Sequence, residues 1–279
     1  MDASWVCARL LSPEQRLDVL NLLNRTEVAL NREAMDEGRR RTVVHGWPAE
    51  HWLKYHHGRL EGFALLNGTK QPTIEMCGGG FDPELLNEVQ KNHVVVDWWT
   101  RDSGDSCTGE LLRTLQLLRV PLPVAAVDVP EGAVLRNFEP GRDEATWLAQ
   151  NNAAFADHPE QGAWLQTDLD ERTREPWFDP SGFLLLEIND VLAASCWTKV
   201  HELHPDRFGE IYVISVDPKF QGRNLGRVMV TQGLAVLRKK GVNDAVLFVD
   251  KSNTGARKLY DSLGFKLERE DKLYRFTKN

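Results

Sequence analysis

The sequence predicts an α/β (α+β) protein built as two tandem domains, and three observations predict it. Residues Ile211 to Val216 form an unbroken apolar, β-branched run that Asp217-Pro218 must end, after which come a glycine-bearing loop and a helix start. A second succession of strand, turn and helix runs from Ala245 to Gly264. The 279 residues exceed one ordinary domain, and a capped helix and a strand of the first half recur roughly 130 residues later in the second.

In chain order, Ser12-Pro13-Glu14-Gln15 has the form of a capping box with proline at the first helical position, which predicts a helix with Leu17, Leu20 and Leu23 on its buried side. Arg32 to Arg41 is dominated by charge, and the stretch from Trp47 through His57 carries no readable pattern. Gly62 to Leu66 reads as a strand closed by Asn67-Gly68. Gly78, Gly79 and Gly80 stand where an anion nest would form, but no cation follows. Asp82 and Glu84 put carboxylates in the first turn of the next helix, which they stabilise while repelling a phosphate. Val94 to Trp99 and Leu111 to Leu122 are further strands, and Val124 to Gly132, with Pro130, reads as a linker. The expected division is a degenerate first domain at 1–124, a linker at 125–133 and an active second domain at 134–279.

The second half opens with a strand at Leu135 to Glu139, after which Asp143 is expected to cap a helix carrying Trp147, Leu148, Asn151, Ala154 and Phe155 on one side. Phe155 to Gly162 is polar and turn-rich, and Glu175 to Phe183 is aromatic; core packing explains neither. Trp197 to His201 ends the strand expected to lie beside the central one.

With 42% hydrophobic and 27% charged residues the composition is that of an ordinary globular protein. A net charge of −7 and the lack of any Lys/Arg-rich block argue against nucleic acid as a partner. No stretch is apolar for long enough to span a membrane, and the N-terminus lacks a signal-peptide pattern, so a cytoplasmic monomer is expected. Cys7, Cys77, Cys107 and Cys196 lack ligand spacing, and His201 and His204 form an H-x-x-H without a third ligand, so neither disulfides nor a metal is expected.

The chemistry concentrates after Pro218. Gln221, Gly222, Asn224 and Gly226 let backbone N–H groups approach a ligand at a helix start, and Arg223 and Arg227 add positive charge, so a phosphate is the expected anion. Gln221 to Gly226 resembles the Q/R-x-x-G-x-G/A signature of the GNAT acyltransferase superfamily, with Asn224 where glycine is usual; Asn tolerates positive φ. Asn253-x-x-Ala256-x-x-Leu259-Tyr260-x-x-x-Gly264-Phe265 resembles the second GNAT motif.

The resemblance implies two tandem GNAT domains, each a mixed, mostly antiparallel central sheet flanked by helices, with acetyl-CoA as acyl donor. Backbone at Ile214, Ser215 and Val216, the loop Gln221, Gly222, Arg223, Asn224, Leu225, Gly226 and Arg227, and the segment Asn253, Thr254, Gly255, Ala256, Arg257 and Lys258 would hold it. Over roughly residues 135–270 the chain is similar to the mycothiol synthase family, tandem GNAT enzymes that acetylate the cysteinyl amine of Cys-GlcN-inositol.

That likeness implies acceptor contacts at Glu160, Lys199 and Glu210, and at an N-terminal acidic residue, Glu33 or Glu37. Phe248 stands where the family has a tyrosine that contacts the acceptor. Glu210 would accept the amine proton, a backbone N–H around Val216 would stabilise the developing oxyanion, and Tyr260 would protonate the departing thiolate. Cys196, with no His or cation immediately beside it, is expected to be an inert buried thiol, leaving direct attack in a ternary complex. Two alternatives stay open: another small amine acceptor, and a non-catalytic acyl-CoA-binding protein.

Overall fold

The first helix shows how local sequence sets up the fold. In the computed structural model, which describes residues 4–68, 71–101, 107–156, 162–202 and 207–278, Ser12 accepts from the Gln15 N–H and Gln15 returns the bond to the Ser12 N–H. This box opens α1 (Pro13–Leu30) behind the first strand, β1 (Trp5–Ala8). Its buried stripe is Val19, Leu22 and Leu23, with Leu20 half-buried. The expectation for Leu17 was wrong: it is 60% exposed, because the face that meets the sheet is set by the 19, 22, 23 spacing and Leu17 lies off it.

The first half continues as α2 (Glu37–His45), β2 (Glu50–His56), β3 (Arg59–Asn67), β4 (Thr73–Met76), α3 (Pro83–Val89), β5 (Val95–Arg101) and β6 (Glu110–Pro121). The charged stretch before Arg41 thus contains a helix capped by Asp36, whose carboxylate accepts from the Arg39 N–H. The second half runs β7 (Ala133–Asn137), α4 (Glu144–Ala154), α5 (Gln166–Thr173), β8 (Phe183–Ile188), β9 (Val191–His201), β10 (Phe208–Val216), α6 (Leu225–Lys239), β11 (Asp244–Asp250), α7 (Thr254–Ser262) and β12 (Lys266–Thr277).

Asp143 holds the N-cap position of α4 but does not cap it. Its carboxylate accepts from Arg136 and from the Glu139 N–H instead, since a bidentate guanidinium outcompetes a neutral amide for a carboxylate.

Among the described residues the strands form one sheet in the order β1-β2-β3-β4-β5-β12-β6-β11-β10-β9-β8-β7. Only β4 with β5 and β10 with β11 pair in parallel, so the sheet is mixed and mostly antiparallel. The chain's last strand, β12, lies between β5 and β6, and β6 pairs in turn with β11, so each half is completed by a strand from the other. Arg275 of β12 forks both oxygens of buried Asp97 in β5 at 2.8 Å.

The apolar stripe of α6, with Met229, Val230, Leu234 and Leu237, packs on β8 to β11. Trp147 of α4 and Leu169 of α5 cover the other face with Phe183 and Trp197.

Candidate active site

A break in strand pairing makes the site. The register of β10 against β9 shifts at Tyr212, a bulge, and β10 pairs with β11 only at Gly209–Ala245 and Glu210–Val246. Beyond Glu210 the two strands part. The cavity between them, of about 900 Å³, is lined by Ile214 and Val216 on one wall and Leu247, Phe248 and Val249 on the other, with Asn253, Gly255, Ala256 and Tyr260 from the α7 region. The run Ile211 to Val216 is therefore not buried throughout: Tyr212, Ile214 and Val216 are half-buried, because this strand borders the cleft. Ser215 contributes backbone to the lining, while its hydroxyl is tied to Ser195 and Gln150, at 2.8 Å each.

Where β10 ends, a second cavity of about 420 Å³ opens, bordered by Val216, Gln221, Gly222, Asn224, Leu225, Gly226, Arg227 and Lys258. Asn224 takes the left-handed conformation at φ 60 and Gly222 lies at φ 76, which turns the loop sharply into α6. No side chain caps α6, so its first N–H groups and its positive dipole end face this cavity. The arrangement fits a pyrophosphate: open helix N–H groups, with Arg227 and Lys258 beside them. Arg223 lies over the Phe220 ring, Thr254 is exposed at the first position of α7 and Arg257 pairs with Asp261; these three border neither cavity. Asn253 borders the larger cavity, and its side chain caps α7 by accepting from the Ala256 N–H.

At the inner end the two halves of the chain meet in a charged cluster. Glu210, 7% exposed, accepts from His201 Nε2 at 2.6 Å, and His201 Nδ1 lies 3.4 Å from Glu33 Oε1. Lys199 Nζ lies 3.3 Å from Glu37 Oε2 and 3.9 Å from Glu33 Oε1, above the Trp177 ring. The Trp177 indole N–H donates to Glu37 Oε1 at 2.9 Å. Both N-terminal candidates, Glu33 and Glu37, therefore face the site.

Burial opposes a charge on Lys199, but Glu33, Glu210 and Glu37 outweigh it and hold its pKa above the ordinary value. Phe248 borders the cleft with the Arg269 guanidinium over its ring. Glu160 and His204 lie outside the described residues.

His201 is the residue the sequence reading passed over, weighed there only for metal binding. The available signal was its spacing: Lys199 and His201, two apart on one strand, share a face, and Lys199 is the cross-strand partner of Glu210. Burial lifts the Tyr260 hydroxyl well above the ordinary range, aided by Cys196, so Tyr260 remains a proton donor at the cleft wall. The Cys196 thiol is fully buried and pushed up to about 12, which makes a poor nucleophile.

The family model described as Acetyltransferase (GNAT) family matches residues 147–265. A protein from Thermobispora bispora named mycothiol acetyltransferase is 43% identical over 244 residues, covering 80% of this chain and 82% of that protein. One of the same name from Streptomyces griseus is 37% identical over 290 residues, covering 95% and 93%. Among solved structures, a tandem GNAT protein from the clavulanic acid biosynthesis pathway superposes with a TM-score of 0.69 at 13% identity, covering 99% of this chain and 98% of that one, a likeness of fold.

Proposed function

The chain belongs to the mycothiol acetyltransferases, enzymes of the GNAT fold, and from that premise we propose that it transfers acetyl from acetyl-CoA to the cysteinyl amine of Cys-GlcN-inositol by direct attack in a ternary complex. The observation that carries this reading is the position of Glu210. It stands where β10 and β11 part, between the acyl-donor cleft and the acidic inner end where the two halves meet.

Acetyl-CoA supplies the thioester; the chain supplies the rest. The α6 start and the loop Gln221 to Arg227 would hold the pyrophosphate, and the parted edge of β10 would hold the pantetheine arm and offer a backbone N–H near Val216 to the developing oxyanion. The inner cluster sets three carboxylates against one lysine, which favours an acceptor carrying an ammonium. An α-amine titrates near pH 7.7–8, so Glu210 can take its proton at neutral pH with modest driving force. Tyr260 delivers a proton to the thiolate. Buried Cys196 takes no part, in keeping with direct transfer. We further place the reaction in the cytoplasm, with a monomer acting on a small molecule and no nucleic acid, a reading supported by the acidic charge and four free cysteines.

The test is acetyl-CoA turnover against a panel of amines that includes Cys-GlcN-inositol. Preferred turnover of that compound, abolished by Glu210→Gln with acetyl-CoA binding retained, is the expected result. Turnover of other amines only would replace the acceptor. Tight acetyl-CoA binding without transfer would make the protein a sensor. Phe248→Tyr restores the family's hydroxyl at the cleft wall and should lower the acceptor KM if that hydroxyl contacts the acceptor.

A further inference from the structure

We infer that Glu33 of the N-terminal half and His201 form a two-residue bracket that orients the Glu210 carboxylate, so that the first half completes the catalytic machinery of the second. The inference rests on the acetyl-transfer reading above and concerns residues to which that reading gives no role in positioning the base. Glu210 has two oxygens. The His201 Nε2–H occupies Oε2 at 2.6 Å, which leaves Oε1 for the amine proton and prevents the carboxylate from rotating. His201 needs support of its own. Its ring is stacked on Phe208, with centroids 4.6 Å apart, and its other nitrogen faces Glu33 Oε1 at 3.4 Å.

Exposure rises from the base outward: the side chains of Glu210 and His201 are 10% and 8% exposed, and that of Glu33 29%. A carboxylate at the outer end is thus the one member that water still reaches, and it anchors the imidazole from the solvent side.

What holds Glu33 in place is unusual. Residues 31–36 join α1 to α2, with Ala34 and Met35 fully buried. The Ala34 carbonyl accepts from the Gly78 N–H at 2.7 Å, and the Asp36 N–H donates to Glu75 at 3.1 Å. Gly78 begins the triple-glycine turn, the place in the first half that corresponds to the phosphate loop of the second. Its N–H is spent on the connector that carries Glu33. The first half therefore uses its former anion turn to fix a residue of the other half's active site.

Three variants test the bracket. His201→Phe keeps the stack on Phe208 and removes the donor; His201→Gln keeps an N–H that can reach Glu210; Glu33→Gln changes the outer anchor alone. The expected result is a kcat about a hundredfold lower for His201→Phe, with acetyl-CoA affinity within about twofold of the parent. His201→Gln should recover to within about tenfold, and Glu33→Gln should lose about three- to tenfold. Combining Glu33→Gln with His201→Phe should cost no more than His201→Phe alone, as for groups that act as one unit.

The bracket is overturned if His201→Gln is as impaired as His201→Phe, if the two losses add, or if the loss falls on acetyl-CoA affinity and thermal stability rather than kcat. Should His201→Phe fail to fold, the kcat of Glu33→Gln decides, since that change is nearly isosteric at a partly exposed site. No turnover by the unmodified protein would sink the acetyl-transfer reading, and the bracket with it, a result distinct from any pattern among the variants.

Discussion

Glu210 and Tyr260 divide the proton work between them, and their settings suggest different costs for losing each. Glu210 is the base, so Glu210→Gln should lower kcat about a hundred- to a thousandfold while acetyl-CoA affinity, measured by calorimetry, stays near that of the parent. Tyr260 packs against Phe265 with ring centroids 5.6 Å apart, a contact that Tyr260→Phe preserves. Since a thiolate is a fair leaving group, that variant should lose about tenfold in kcat with an unchanged melting temperature. Cys196→Ala, by contrast, should leave the chemistry intact, because the thiol is buried among core residues and lines neither cavity. Glu210 and Tyr260 were legible as motif members. His201 was not, because its meaning comes from the cross-strand pairing of β9 with β10, a tertiary fact.

Two element termini carry predictions of their own. Asn224 sits in the left-handed region at φ 60, where glycine is at ease, asparagine is tolerated and a β-branched residue is strained by about 1–3 kcal/mol. Asn224→Gly should keep acetyl-CoA affinity, and Asn224→Val should weaken it about tenfold or more by distorting the loop; titration calorimetry of both decides.

At α4, burial alone would lift the Asp143 carboxyl, but hydrogen bonds from Arg136, the Glu139 N–H and Arg142 outweigh it and hold its pKa at about 2 against 3.8 for the model value. A pKa depressed on folding contributes stability that is present above the unfolded value and lost as pH falls through the folded one. The gap in urea midpoint between the parent and Asp143→Asn should therefore be widest near neutral pH and close as pH falls toward about 2. The helix start itself was readable from Asp143 and the apolar spacing after it. That Arg136 takes the carboxylate away from its cap was not, because Arg136 lies on a strand that folding alone brings alongside.

At the scale of the whole molecule, the exchange of strands makes the halves interdependent. β12 fills the gap between β5 and β6, and β6 covers the edge of β11. A chain cut in the segment between β6 and β7 should give two insoluble fragments when each is expressed alone, and a soluble, active complex when both are expressed together. Independent folding of either fragment would show that the exchanged strands are dispensable.

The first half's own cleft is closed by its chain. The Arg101 N–H donates to the Gly79 carbonyl at 2.8 Å, and a Cβ on Gly79 would meet the Arg101 side chain at 2.5 Å. Asp82 caps α3 where a phosphate would need a vacant helix start. One acetyl-CoA should therefore bind per chain, and a calorimetric stoichiometry of two would refute this.

The sequence alone determined the local parts: the capping box at Ser12, the strand that ends at Pro218, the glycine loop with its tolerant Asn224, and the loss of a phosphate turn at Gly78 to Gly80. Each rests on backbone sterics or on hydrogen bonds between near neighbours, which a short window of residues contains. The tertiary structure decided the rest. It set the parting of β10 from β11, the placing of β12 in the first half's sheet, and the meeting of Glu33, His201 and Glu210 at one point. These depend on pairings between residues far apart in the chain, whose register is chosen by burial over the whole sheet rather than by any local pattern.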